Sequence, residues 1–432
     1  MSDLFVRMAK AAAPAVHGRV VRAIGLSVDV AGLDLAVGEA VTLHADRAPV
    51  LAEVVSLHDD VATCMPVSDL RGVRRGDLVA ATGGPLTVPI GMGLLGRVVD
   101  ALGRPIDGGP RLHDVVPTGI DGVSPTAMKR SRIDTQLGLG VRAFDTLMPC
   151  GRGQRMGIFA GSGVGKSSIL SMIIRGTDAP ICVLALVGER GREVREFVER
   201  DLGPEGLARS VVVVATSDEP ALVRLRAAFT ATRIAEWFRD RGEDVLLAMD
   251  SVTRVATAQR EVGLAAGEPP ATRGYPPSVF GLLPQLLERA GTAEHGSITG
   301  LYTVLVEGDD MNDPVADAAR SILDGHVVLD RRLATSGHFP SIDVLESVSR
   351  SVNDITTPAQ RADATVLRQL LAARRDAKDL VEIGAYVPGS NPLVDRALER
   401  SGAIDQFLRQ PVDQVADVAQ SWAWLHDLVG AA

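Results

Sequence analysis

A glycine-rich stretch that ends in lysine and serine is the part of the sequence best suited to chemistry. It reads Ala160-Gly161-Ser162-Gly163-Val164-Gly165-Lys166-Ser167, and it lies between an apolar run and the helix-like stretch Ser168 to Ile174. Glycines let a backbone curl until several N–H groups converge on a phosphate, and the N-terminus of the next helix adds partial positive charge. The stretch therefore predicts a P-loop, although the strict pattern begins with glycine where this chain has Ala160.

Each residue of this loop has an expected task in nucleotide binding. Lys166 is expected to reach the β and γ phosphates of ATP, and the hydroxyl of Ser167 is expected to ligate Mg²⁺. The phosphates themselves are expected to be held by Gly161, Ser162, Gly163, Val164, Gly165, Lys166, Ser167 and Ser168.

Two acidic residues follow other apolar runs. Asp250 comes directly after Val245–Met249, where a Walker B carboxylate beside the metal is expected. Glu189 follows Ile181–Val187 in the string GERGRE, where a carboxylate is placed to orient and polarise a water that attacks the γ phosphate. Taken alone, an aspartate at a strand end is most often a turn or cap residue, and a glutamate in such a string more often belongs to a solvated charged loop. Because both residues occur in a chain that also contains a P-loop, their interpretation as metal-binding and catalytic carboxylates is favoured.

The elements that must position these residues can be inferred from hydrophobic periodicity. Short alternating stretches (Leu26–Val30, Leu33–Leu35, Val41–Leu43 and Val50–Val55) predict a β-barrel, which together with a short N-terminal helix makes up residues 1–85 and ends near Gly83-Gly84-Pro85. Buried apolar runs separated by helical segments predict an α/β domain with a mostly parallel sheet in residues 86–360. With the glycine-rich loop inside it, this domain is expected to be a P-loop NTPase (RecA-like). Leucines among charges predict a helical domain in residues 361–432.

Composition restricts the classes of function. No apolar run reaches the roughly twenty residues that cross a bilayer, and the first residues lack the features of a secretory signal, so a cytoplasmic protein is expected. Three distant cysteines suit neither a disulfide framework nor a zinc site. The net charge of −9 argues against nucleic acid as the main partner.

The N-terminal segment carries Leu4, Phe5 and Met8 at a spacing that places them on one face of a short helix. An amphipathic segment too short to be stable alone would gain its helicity by docking. A frayed terminus is the alternative interpretation.

Longer strings in the chain resemble a known family. The order of the P-loop, GERGREV, the Asp250 strand and the later Ser347-Val348-Ser349-Arg350 is similar to that of catalytic subunits of rotary ATPases. More specific strings look like the flagellum-specific protein-export ATPase and its injectisome relatives. They are CGRGQR from Cys150, GEPPATRGYPPSVF from Gly267 and VEGDDMNDP from Val306.

The resemblance implies roles for individual residues. Glu189 falls where the family keeps its catalytic glutamate, Arg190 follows it as in the family's GER motif, and Glu193 matches a second carboxylate near the water shell of the metal. Arg254 matches a phosphate-proximal arginine, and Arg350 an arginine finger that enters the site of the neighbouring subunit. Other positions implied by the resemblance are an adenine-stacking aromatic at Phe339, with Val412 replacing a second aromatic after Gln410-Pro411, and channel-facing segments at 267–277 and 309–313.

The same resemblance implies ATP hydrolysis by a homohexamer that energises protein export. The implied partners are regulatory and central-stalk proteins, export substrates with their chaperones, and a membrane export gate at the cytoplasmic face of the inner membrane. Three rival functions fit the sequence less well. A noncatalytic rotary subunit would lack Glu189, and the catalytic subunit of ATP synthase is disfavoured by the strings GRGQRMGIFAGSGVGKSS and GEPPATRGYPPSVF, which look like the export branch. The third is an RNA translocase ring. The last needs aromatic stacking positions in its barrel, yet residues 15–85 contain no Phe, Tyr or Trp.

Overall fold

The computed structural model describes residues 16–306, 308 and 310–430. The predicted helix face formed by Leu4, Phe5 and Met8 lies outside these residues. The described chain contains an N-terminal barrel, a central sheet flanked by helices, and a C-terminal group of helices. This is the fold class that the hydrophobic periodicity predicts, and the prediction is confirmed.

The barrel is closed and antiparallel, with strand order β1-β2-β5-β4-β3-β6. Its core consists of small and β-branched residues such as Val28, Val41 and Val54, which are fully buried. The strands are β1 (Gly18–Ile24), β2 (Ser27–Ala31), β3 (Glu39–His44), β4 (Pro49–His58), β5 (Val61–Pro66) and β6 (Leu78–Pro85).

The stretch Leu33–Leu35 was wrongly predicted as a strand. It forms part of the connection between β2 and β3 instead. Leu35 is buried in the barrel core and Leu33 packs against that core. The apolar character of this stretch therefore reflects packing of the connection and not a strand. An alternating pattern of three residues is too short to separate a strand from such a connection.

The central sheet has the order β19-β18-β12-β17-β15-β13-β14-β8, with β16 paired to β17. Its pairs are parallel except β18 with β19 and β16 with β17. A small sheet of β7 with β9 and another of β10 with β11 lie outside it. The strands are β7 (Thr87–Ile90), β8 (Arg97–Asp100), β9 (Val116–Gly119), β10 (Gln136–Leu137), β11 (Cys150–Gly151), β12 (Arg155–Ala160), β13 (Ile181–Glu189), β14 (Ser210–Thr216), β15 (Asp244–Asp250), β16 (Gly291–Thr292), β17 (Ser297–Leu305), β18 (Gly325–Leu329) and β19 (Ile342–Ser349).

Helices cover both faces of this sheet, which explains why its inner strands are apolar along their whole length. One hydrophobic core lies on each face, and each contains alternate residues of β13, for example Val183 in one and Leu184 in the other. The helices of this part are α1 (Arg142–Leu147), α2 (Lys166–Gly176), α3 (Gly191–Glu196), α4 (Gly203–Ala208), α5 (Ala221–Arg239), α6 (Val252–Ala265), α7 (Pro277–Leu287), α8 (Pro314–Ile322), α9 (Arg331–Thr335) and α10 (Val352–Ile355). Short 3₁₀ turns (Met92–Leu94, Ala127–Lys129, Thr272–Gly274) and a π-helical segment (Phe197–Leu202) complete it.

The C-terminal helices begin with a strong start signal. The Thr357 hydroxyl accepts from the Gln360 amide while the Gln360 side chain accepts from the Thr357 amide, and Pro358 occupies the first helical turn. This capping box satisfies two amides that a helix start otherwise leaves without partners. The helices are α11 (Pro358–Glu382), α12 (Pro392–Glu399), α13 (Ser401–Leu408) and α14 (Val418–Gly430).

A buried ion pair joins the barrel to the central domain. Arg226 on α5 donates from Nε to Oε2 of Glu53 on β4 at 2.8 Å, and the carboxylate is almost fully buried. Burial lowers the pKa of Arg226 to about 10, which still leaves the guanidinium charged at neutral pH. Removing either partner would leave an uncompensated buried charge, so the pair fixes the contact between the two parts.

Candidate nucleotide site

The glycine-rich loop connects β12 to α2 in the conformation that phosphate binding needs. Gly163 and Gly165 have φ angles of 75° and 99°, a region that residues with a side chain rarely adopt. The first backbone hydrogen bond of α2 is donated by the Ile169 amide to the Gly165 carbonyl, at 3.0 Å. The amides of residues 166–168 therefore have no acceptor within the helix and are available to an anion.

Three of the predicted site residues meet beside this loop. Lys166 Nζ lies 2.5 Å from Asp250 Oδ1 and 3.2 Å from Glu189 Oε1. The three residues come from the ends of three parallel-sheet segments, since Glu189 ends β13, Asp250 ends β15 and Lys166 follows β12. Carboxyl ends of parallel strands form one edge of a sheet, which is where α/β proteins place their ligands.

The electrostatics of this group keep Lys166 charged. Burial lowers the pKa of the Lys166 ammonium, but the carboxylates of Asp250 and Glu189 act in the opposite sense and outweigh burial, so its pKa is raised. Lys166 is thus a charged ammonium at the start of a helix, paired with two carboxylates. A polyphosphate can replace these carboxylates as its partner and leave them free for a metal ion.

Thr303 belongs to the same group and was missed by sequence reasoning. Its hydroxyl donates to Asp250 Oδ1 at 2.7 Å, and the residue is fully buried on β17, next to β15. The available signal was a threonine between Tyr302 and Val304, near the carboxyl end of that strand. Buried hydroxyls need partners, and the strand beside a Walker B strand supplies one.

We expect Thr303→Val to lower kcat/KM for ATP about fivefold to tenfold, because Asp250 loses a hydrogen bond that orients its carboxylate. Steady-state ATPase kinetics over a range of Mg²⁺ concentrations measure the effect. The matched control is Thr299→Val on the same strand, whose hydroxyl accepts from the Gly153 amide at 2.8 Å, far from Asp250. Equal rates in the wild type and Thr303→Val would show that Thr303 does not orient Asp250.

The remaining predicted residues on this edge lie at its rim. Arg190 is 80% exposed and its Nη1 lies 3.4 Å from Glu193 Oε1, so these two pair with each other. Arg254 packs against Gly188: a Cβ at Gly188, whose φ is 72°, would lie 3.2 Å from the Arg254 side chain. Arg254 thus lies next to Gly188, the residue before Glu189.

Phe339 lies beside the loop, as a base-stacking residue should. A Cβ placed on Gly165 would be 3.8 Å from Cδ1 and Cε1 of the Phe339 ring. Phe339 is 43% exposed, so an apolar side chain is accessible to a ligand next to the phosphate loop.

Arg350 is not part of this group within one chain. It follows β19, whose last residue Ser349 pairs with Gly325 at the amino end of β18, on the opposite edge of the sheet. Its side chain is exposed, and its amide donates to the Asp324 carbonyl at 3.0 Å. Arg350 therefore lies away from the P-loop of its own chain.

The two predicted channel segments contact each other in the described part of the chain. Arg273, in the 3₁₀ turn before α7, donates from Nη2 to Asp310 Oδ2 at 3.1 Å. The Asn312 amide, which donates to Asp310 Oδ1 at 2.9 Å, and the Arg273 guanidinium both hold the pKa of Asp310 below its usual range.

Among residues 16–306, 308 and 310–430, no helix has the length and apolar character needed to cross a membrane. In the same residues, no three His, Cys, Asp or Glu side chains converge as a metal site. Mg²⁺ typically keeps several waters and binds through one or two protein groups plus phosphate oxygens. The Ser167 hydroxyl and the Asp250 carboxylate fit that requirement.

Comparison with family models covers most of the chain in three parts. Residues 20–83 match the β-barrel domain of the ATP synthase alpha/beta family, and residues 140–349 match its nucleotide-binding domain. Residues 356–427 match the C-terminal domain of the type III secretion ATPase EscN. The last match favours the flagellar and secretion branch over the catalytic subunit of ATP synthase.

Individual relatives agree with this placement. The chain is 51% identical over 417 residues to the flagellum-specific ATP synthase of Bacillus subtilis (strain 168), covering 96% of this chain and 95% of that protein. It is 49% identical over 402 residues to the type 3 secretion system ATPase of Xanthomonas euvesicatoria, covering 93% and 91%.

Solved structures give the same result. The assembled ATPase EscN of enteropathogenic E. coli superimposes with a TM-score of 0.91 at 43% identity, over 95% of this chain and 100% of that one. EscN in complex with its central stalk EscO gives 0.88 at 42% identity, with the same coverage. The chain therefore belongs to the family of flagellum-specific ATP synthases and type 3 secretion system ATPases, and it is an ATPase.

Proposed function

We propose that this chain couples Mg²⁺-dependent ATP hydrolysis to the export of proteins through a flagellar or related type III secretion apparatus. The observation that carries the proposal is the meeting of Lys166, Glu189 and Asp250 beside the P-loop, in a chain whose relatives are named for flagella and type 3 secretion. In this proposal it acts as a homohexamer in the cytoplasm, at the cytoplasmic face of the inner membrane.

ATP binding draws on the loop and the start of α2. Amides of residues 161–168 surround the phosphates, while Phe339 stacks on the adenine. Lys166 exchanges its carboxylate partners for the β and γ phosphates. The Lys166 charge that Asp250 and Glu189 sustain is what the polyphosphate needs.

Hydrolysis uses the side chains at the ends of β13 and β15. Glu189 accepts a hydrogen bond from the attacking water and takes its proton, the usual work of a general base. Ser167 and Asp250 would hold Mg²⁺, with Glu193 acting through water, and the bound ion would supply charge neutralisation on the phosphate oxygens. Arg190 and Arg254 flank Glu189 and favour the developing negative charge at this edge.

Assembly completes the site. Arg350 lies on the edge of the sheet opposite its own P-loop, so in a ring it reaches the γ phosphate bound by the next subunit. An arginine supplied in trans neutralises charge during phosphoryl transfer. The similarity to EscN in its assembled form supports this arrangement.

Coupling to export is assigned to the channel side of the ring. The paired segments that contain Arg273 and Asp310 contact a central stalk. This assignment is made by analogy with EscN, whose structure in complex with its central stalk EscO is similar to this chain. Regulatory proteins, chaperones, export substrates and a membrane export gate are the further partners. No nucleic acid takes part, in keeping with the net charge of −9.

The proposed function has a two-part test. The ATPase rate per subunit of the purified chain should rise with protein concentration, because each site needs a neighbour. In the source bacterium, replacing the gene by a Lys166→Ala copy should stop secretion of external filament or needle subunits while the protein accumulates normally. Normal secretion by that strain would refute the export role.

A further inference from the structure

Side chains from the connection between β18 and β19 hold two carbonyls of the phosphate loop from outside. Ser341 Oγ donates to the Val164 carbonyl at 2.5 Å, and Arg331 Nη1 donates to the Ser162 carbonyl at 2.9 Å. Both donors come from the same connection, since Arg331 begins α9 and Ser341 directly precedes β19.

The orientation of these carbonyls determines the orientation of the amides that bind phosphate. In a trans peptide the C=O and N–H groups point in opposite directions. The Val164 carbonyl shares its peptide with the Gly165 amide, so a donor outside the loop turns the Gly165 N–H inward. Gly165 needs such a restraint, because a glycine with φ of 99° is otherwise free to rotate.

Ser341 is well placed to restrain the loop because it is itself fixed. It is 2% exposed, and its carbonyl accepts from the Asp330 amide at 2.8 Å. Two residues earlier, the Phe339 carbonyl accepts from the Gln410 amide at 2.9 Å. Gln410 is buried too, and its side chain donates to the Gly140 carbonyl at 2.7 Å. The segment is thus tied to both the central domain and the C-terminal helices.

We propose that Ser341 is a positioning residue for ATP binding, which acts by orienting the Gly165 amide toward the nucleotide phosphates. The inference rests on the proposed role of residues 161–168 as a phosphate loop. Neither the P-loop pattern nor the family resemblance includes this serine; it follows from the contact with Val164.

Ser341→Ala is the test, because it removes the donor without adding bulk. We expect KM for ATP and Kd for ADP to rise about fivefold to tenfold, the effect of losing one oriented hydrogen bond. The turnover number should change less than about threefold, since Glu189 and Arg350 are untouched.

The matched control is Ser347→Ala. Ser347 is a buried serine of the same segment of chain, on β19, whose hydroxyl donates to the Asp343 carbonyl at 2.5 Å and does not contact the loop. Both variants should lower the melting temperature of the nucleotide-free protein, but only Ser341→Ala should reduce the further rise that ADP causes.

Wild-type KM and Kd in Ser341→Ala would overturn the inference, as would equal losses of affinity in the two serine variants. These outcomes are distinct from failure of the proposed function. If the wild type neither binds ADP nor hydrolyses ATP, or if Lys166→Ala does both normally, the phosphate-loop assignment itself is wrong.

Discussion

Glu189→Gln should lower kcat for ATP hydrolysis about 100-fold or more while leaving the affinity for ATP nearly unchanged. Glutamine keeps the size of the side chain and its hydrogen bond to a water, but it cannot accept the proton that the water loses. Binding survives because Lys166 and the loop amides are intact. Single-turnover hydrolysis separates the two quantities, with nucleotide affinity measured by equilibrium titration.

The matched control for this prediction is Glu196→Gln. Glu196 lies on the neighbouring helix α3, where its carboxylate pairs with Arg192 at the surface, and it does not contact Lys166 or Asp250. Its loss should leave turnover within about twofold, since exposed ion pairs contribute little. Near-normal turnover in Glu189→Gln would remove Glu189 from the catalytic role.

The fold was predictable because a strand that is buried on both faces of a parallel sheet appears in the sequence as a continuous apolar run. The apolar runs that include Ile181–Val187 and Val245–Met249 lie in β13 and β15, as predicted. The edge strand β8 (Arg97–Asp100) was not predicted. It has four residues and polar ends, so its pairing with β14 depends on the partner strand more than on its own composition.

The site was predictable where residue types alone imply chemistry. Lys166, Glu189 and Asp250 are charged residues at the ends of apolar runs, and the structure brings them within hydrogen-bonding distance. Thr303 and Ser341 leave no comparable signal. A buried hydroxyl acquires its role from the atom it contacts, and the contacts with Asp250 and Val164 span 53 and 177 positions of the chain.

Arg350 illustrates a different limit. Its own chain places it at the far edge of the sheet, beside Asp324, where it makes no contact with the P-loop. Local sequence pattern cannot distinguish such a residue from an ordinary surface arginine, because the partner proposed for it belongs to another subunit. An experiment that reports on contacts between subunits is needed to test the proposed role of Arg350.

Mixing Arg350→Ala protein with Lys166→Ala protein should restore ATP hydrolysis that neither has alone. Each variant by itself should lose about 1,000-fold or more, the usual effect of removing a trans arginine from phosphoryl transfer. In a mixed ring, an Arg350→Ala subunit supplies an intact P-loop and its Lys166→Ala neighbour supplies an intact arginine. One kind of interface is then complete, so activity should peak near equal proportions.

Lys166→Ala mixed with Glu189→Gln provides the matched control, because both residues belong to the same chain's site. Every site in such a ring carries one defect or the other whatever its neighbour is, so no ratio should recover activity. Formation of mixed rings is measured independently, by co-purification of differently tagged subunits. If mixed rings form and the Arg350→Ala and Lys166→Ala pair stays inactive at all ratios, Arg350 does not act across the interface. Recovery in both mixtures would not support a shared site, because the control rings contain no complete site at any interface.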